Sequence, residues 1–83
     1  MTILPEQSRA GRALLNWSQI QLCEAAKVAR ATLADFEAGK RTPYDRTLAD
    51  IRAALEVAGV EFIAENGGGP GVRLRRKSVE RPL

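Results

Sequence analysis

Histidine is absent from this 83-residue chain and cysteine occurs once, so no internal disulfide can form and a His/Cys zinc cluster has a single member. No metal or cofactor is implied. Without histidine the commonest general base is missing, and no nucleophile elbow, metal-ligand cluster or complete nucleotide fingerprint replaces it, so the chain is not read as an enzyme. The glycine-rich run ENGGGPG at residues 65–71 lacks the strand-to-helix setting and the lysine of a phosphate-binding P-loop. Nowhere do about eighteen apolar residues stand together, and no basic segment followed by an apolar run opens the chain. Neither a membrane span nor a secretory signal is expected.

What charge there is lies unevenly. The net charge is only +3. Residues 1–44 carry six basic against four acidic side chains, residues 45–71 carry two against five, and residues 72–83 carry five against one. An acidic middle separates two basic ends, which suits a protein with one face toward phosphates and another toward a partner subunit. A chain this short builds a core near the lower limit for independent stability, so a homodimer is the working expectation.

The most informative stretch runs from Ser18 to Pro43, where two short helical patterns meet across a tight turn in the manner of a helix-turn-helix. Ser18 and Gln21 have capping-box spacing, and Trp17 stands where it can staple onto Leu22. Leu22, Ala25 and Ala26 form one face, Val28 fills the turn, and Leu33 and Phe36 continue the apolar stripe. Gly39 ends the second helix and Pro43 prevents its continuation.

Over roughly residues 5 to 58 the chain resembles the phage-repressor-like, Xre-type helix-turn-helix regulators of bacteria. Ser18, Gln19, Leu22 and Cys23 match the family's Ser-Gln-x-x-Leu-Ala, with Cys23 at the small core position. Val28, Leu33, Phe36, Glu37, Gly39 and Pro43 match its apolar turn, second helix and Glu-x-Gly-x-x-x-Pro ending. Arg12 corresponds to the arginine that pairs with the family's glutamate, so an internal Arg12–Glu37 bridge is implied. Two positions depart from the pattern. Lys27 replaces the usual turn glycine and Ala29 the usual serine cap, each at a cost of roughly 1 kcal/mol.

The resemblance also implies a site. The first turn of the second motif helix, near residues 30–38, would enter the DNA major groove and present Arg30, Ala31 and Thr32, with Ala34 and Asp35 further along. Arg30 suits bidentate bonding to guanine, Thr32 a phosphate or a thymine methyl, and Asp35 either cytosine or the orientation of Arg30. Gln19 corresponds to the family's phosphate-clamping glutamine, and Lys40, Arg41, Thr42 and Tyr44 would hold a neighbouring phosphate.

Flanking patterns complete the expected fold. Pro5 opens a first helix to about Leu15, in which Gly11 permits close packing. Leu48, Ile51, Leu55 and Ala58 mark a fourth helix between an Asp45 or neighbouring cap and Gly59. From Val60 the period turns alternating, and residues 60–63 and 72–75 read as two strands that either pack on the helices or pair with a second copy. On one face stand Val60, Phe62, Val72 and Leu74; Arg73 and Arg75 fall on the other. The fold expected is mainly α: a four-helix repressor-like helix-turn-helix domain over residues 1–59, a C-terminal β-hairpin at residues 60–76 as the dimerisation element, and a flexible tail at residues 77–83.

The function expected is a sequence-specific, DNA-binding transcriptional regulator, a repressor, bound to double-stranded DNA as a cytoplasmic, nucleoid-associated homodimer. Repression is favoured because no effector or activation domain is evident. A helix-turn-helix scaffold is also reused as a protein-binding antiactivator or antitoxin, and a protein partner stays open as the alternative.

Overall fold

The computed structural model describes residues 2–75; Arg76 and the expected tail at residues 77–83 lie outside the described residues. Four helices precede a two-stranded hairpin: α1 Pro5–Leu15, α2 Gln19–Ala26, α3 Arg30–Glu37, α4 Asp45–Val57, β1 Val60–Ile63 and β2 Gly71–Leu74. This is the mainly α architecture with a C-terminal hairpin that the sequence patterns predict.

Each helix boundary has a local cause. Pro5 starts α1 at a position where its missing N–H costs nothing. The preceding Leu4 has no polar side chain, so Gln7 supplies the acceptor: its Oε1 takes the Leu4 N–H at 2.9 Å. Asn16, left-handed at φ 59°, ends α1. The capping box of α2 is complete, with the Gln21 N–H donating to Ser18 Oγ at 3.1 Å and the Ser18 N–H to Gln21 Oε1 at 2.8 Å. Lys27 closes α2 in the left-handed region, at φ 59° and ψ 48°. Ala29 gives α3 no side-chain cap. Gly39, at φ 77°, carries the chain out of α3, and α4 stops at Val57, just short of Gly59.

Leu22, Leu33, Ile51, Leu55 and Val60 are fully buried, so the core draws on α2, α3, α4 and the first residue of the hairpin. Trp17 and Val28 pack against it from its margin. Cys23 is buried too, and that burial pushes its thiol pKa up, which keeps it in the weakly reactive protonated form. Gly11 forms the notch where α1, α4 and β1 meet. A Cβ there would stand 3.3 Å from Leu55 Cδ1 and 3.6 Å from Val60 Cγ1, so the helix propensity lost at Gly11 is exchanged for close packing.

The hairpin is antiparallel, pairing Val60 with Leu74, Glu61 with Arg73, Phe62 with Val72 and Ile63 with Gly71. Of the two settings open to such a ribbon, packing on the helices is realised: β1 lies against α1 and α4, and β2 against α1. Phe62 and Val72 sit against the core, with the Arg52 guanidinium 5.0 Å from the Phe62 ring centre, whereas Leu74 is half exposed. Arg73 occupies the outer face and pairs with Glu61 at 2.5 Å. Arg75 falls beyond the strand. Its N–H donates to the Gly59 carbonyl at 2.8 Å and its Nη2 to the Glu56 carbonyl at 3.0 Å.

Two of the local features lie below their optimum. Lys27→Gly relieves a left-handed non-glycine residue, and Ala29→Ser supplies the absent cap; each is expected to stabilise the fold by about 1 kcal/mol. Urea denaturation of the two variants checks this, and an unchanged midpoint for both would show that the neighbouring structure already compensates.

Candidate nucleic-acid interface

The site is built outward from one buried carboxylate. Glu37, the last residue of α3, is 2 % exposed, yet both of its oxygens are satisfied. Arg12 from α1 grips it in a fork, with Nη2 at 2.7 Å from Oε1 and Nε at 3.0 Å from Oε2. Ser8, one turn earlier on α1 and fully buried, donates its hydroxyl to Oε2 at 2.5 Å. From the start of α2, Gln19 Nε2 donates to Oε1 at 2.9 Å. Arg9 adds a bond to the Glu37 backbone carbonyl, and Arg12 Nη1 reaches the Trp17 carbonyl at 3.1 Å. The first three helices therefore converge on a single side chain.

Burial alone pushes the Glu37 carboxyl up, but the hydrogen bonds from Arg12, Ser8 and Gln19, together with the Arg12 charge, outweigh it and hold the pKa below the usual carboxylate range. The group is ionised at neutral pH. Among the described residues no buried side-chain nitrogen or oxygen lacks a partner.

With its base held in this way, α3 turns its opposite side outward. Arg30 and Ala31 are exposed, while Thr32, Ala34 and Asp35 are half-buried. The loop after α3 folds back on it: the Lys40 N–H donates to the Asp35 carbonyl at 2.8 Å, and the Gly39 N–H to the Phe36 carbonyl at 3.0 Å. A shallow groove results, lined by Ala31, Thr32 and Asp35 on one side and by Arg41, Thr42 and Tyr44 on the other. The structure thus gathers six of the expected site residues around one concavity. Arg30, Ala34 and Lys40 lie outside that lining, and Gln19 sits at the Glu37 network with its Nε2 engaged.

Among the described residues Arg12, Arg52 and Arg73 form ion pairs with carboxylates, whereas the exposed Arg30, Lys40 and Arg41 form none. No ion pair joins Arg30 to Asp35, so the orienting role open to that aspartate is not taken up in this state.

Three participants were not singled out from the sequence. Thr47, in the first turn of α4, lines the groove beside Tyr44. Its position just past the loop that carries Arg41 to Tyr44 was the available signal. Ser8 stands at i−4 to Arg12 and so shares its helix face, which was also readable. The bond from Arg9 to a carbonyl of α3 had no local signature.

A family model described as helix-turn-helix matches residues 9–62, well over half of the chain, from the middle of α1 into β1. No curated protein matches the chain significantly.

The Glu37 network makes stability depend on pH in a defined direction. Because the folded-state pKa is depressed, its contribution is complete above the ordinary carboxylate value and fades as pH falls through the folded one. Glu37→Gln should cost about 3 kcal/mol at pH 7, and the gap between variant and parent should narrow on acidification below pH ~4. Chemical denaturation at a series of pH values reads both effects. A gap that stays constant with pH would place the cost in packing and not in the ionised carboxylate.

Proposed function

The chain belongs to the phage-repressor-like helix-turn-helix family of DNA-binding regulators, and from that premise we propose that it is a sequence-specific transcriptional repressor whose α3 enters the major groove of double-stranded DNA. The observation that carries this reading is the gathering of exposed cations beside the groove between α3 and its following loop. Arg30, Lys40 and Arg41 stand there exposed and without ion pairs. An unpaired, exposed guanidinium at the start of a recognition helix is chemically matched to guanine O6 and N7.

Around Arg30 the other groups divide by chemistry. Ala31 and Ala34 are small enough to let the helix approach base edges, Thr32 offers a hydroxyl and a methyl, and Asp35 accepts from a cytosine amine. Lys40, Arg41, Thr42 and Tyr44 form the backbone-holding side. Gln19 fits there as well. Its Nε2 carries two protons, and the bond to Glu37 uses one, so the same amide can hold the scaffold and meet a phosphate.

The operating unit in this reading is a homodimer that presents two α3 helices to a two-fold operator, and repression follows from occupying the DNA. Selection and sequencing of duplexes bound by the purified protein tests it directly: a two-fold related consensus is expected, and selection that returns no consensus would contradict sequence-specific binding. Arg30→Ala should weaken cognate binding by about 1–3 kcal/mol and relax preference at one base pair per half-site. Gln19→Ala and Lys40→Ala should weaken cognate and random duplexes alike, because phosphate contacts position the protein without reading bases. A base-selective loss at either residue would reassign it.

A further inference from the structure

A second cleft opens between α2 and α4, away from the recognition groove. These two helices pack together, and their opposite ends serve different surfaces. Gln19 begins α2, and Tyr44 and Thr47 stand at the start of α4, beside the groove already described. The second cleft takes Ala25 and Lys27 from the last turn of α2, and Asp50, Ala54, Val57 and Ala58 from the later turns of α4. The two linings share no residue.

The cleft contains both halves of an apolar contact. Ala25, Ala54 and Ala58 make a shallow, small-residue hollow, and beside it Val57 projects with 88 % of its surface exposed. Its charges are likewise complementary across the opening: Lys27 stands on the α2 wall and Asp50 on the α4 wall, and neither forms an ion pair among the described residues. A surface that carries its own knob and hollow, and its own cation and anion, is self-complementary.

We infer that this cleft is the contact between two copies of the chain, related by a two-fold axis. The inference rests on the homodimer reading and names the surface that forms it. Under two-fold symmetry Lys27 faces the partner subunit's Asp50, and the same pair recurs on the other side of the axis, while Val57 of each copy enters the alanine-lined hollow of the other. The hairpin is the weaker candidate. Its inward apolar face is covered by α1 and α4 except at Leu74, which is half exposed, and Arg73 on its outer face already has Glu61.

Sedimentation equilibrium on the full chain tests the assignment. Lys27→Glu and Asp50→Lys should each weaken self-association about tenfold, because each sets like charges against each other at both repeats of the contact. Mixing the two variants in equal amounts should restore the dimer, since every cross-contact between them then pairs opposite charges. Val57→Asp, at a side chain so exposed that the fold does not depend on it, should weaken the dimer by more than the single charge changes do. Circular dichroism and melting curves like those of the parent confirm that each variant is folded. A parent dimer that survives Val57→Asp and shows no rescue on mixing overturns the cleft assignment and leaves the homodimer reading standing. A dimer lost only with Leu74→Asp overturns it in favour of the hairpin. A parent chain that is monomeric at DNA-binding concentrations overturns both readings together.

Discussion

The carboxylate of Glu37 is the fixed point of this molecule. Burying an ion is expensive, and even a well-matched partner commonly does little more than recover the desolvation cost. What the arrangement supplies is orientation. Two oxygens accept from Ser8 and Arg12 of α1 and from Gln19 of α2, so α1, α2 and α3 can satisfy the charge in one mutual arrangement only. Because the anchor is the last residue of α3, the angle at which Arg30 leaves the opposite end of that helix is set by this network. The bond from Arg9 to the Glu37 carbonyl ties the backbone as well as the side chain.

Around that anchor some charges are paired and others left available. Arg52 pairs with Glu56 and lies over Phe62, and Arg73 pairs with Glu61, so two of the five carboxylates in residues 45–71 are answered by neighbouring arginines. The cations left exposed without ion pairs at the groove are those around α3 and its following loop. A modest net charge therefore understates the local field that a polyanion would meet, since paired ions contribute little at a distance while unpaired ones on a single face add.

How much of this was legible in the sequence depended on the range of each interaction. The capping box of Ser18 and Gln21, the stop at Gly39 and the face of Leu48, Ile51 and Leu55 are consequences of spacing within a few residues, and the structure has them where the patterns put them. Alternation at residues 60–63 and 72–75 put Val60, Phe62, Val72 and Leu74 on one face, and the fold fixes the register among the shifts by two that would keep them there, with the second strand one residue earlier, at Gly71–Leu74. The Arg12–Glu37 pair was readable only through family resemblance. Ser8 and Arg9 join Glu37 from nearly thirty positions away, and no local pattern announces which carbonyl or carboxylate a distant helix will present. Six of the residues singled out from the sequence line one groove, and their division into groove lining, rim and buried network needed the fold. Gln19 is the clearest case, since a phosphate-facing residue by pattern turns out to hold the interior as well.

Gln7 links the two ends of the described chain. Its amide caps α1 through Leu4 and also donates to the Gly71 carbonyl at 3.1 Å, while Val60 closes the notch over Gly11. The first helix is therefore incomplete until the last strand arrives. During synthesis the four helices leave the ribosome before the residues that seal them, so the core stays open along one side until translation has passed Gly71. Without the hairpin, the Gly11 notch and the side of Leu55 beside it would lose the cover that Val60 provides.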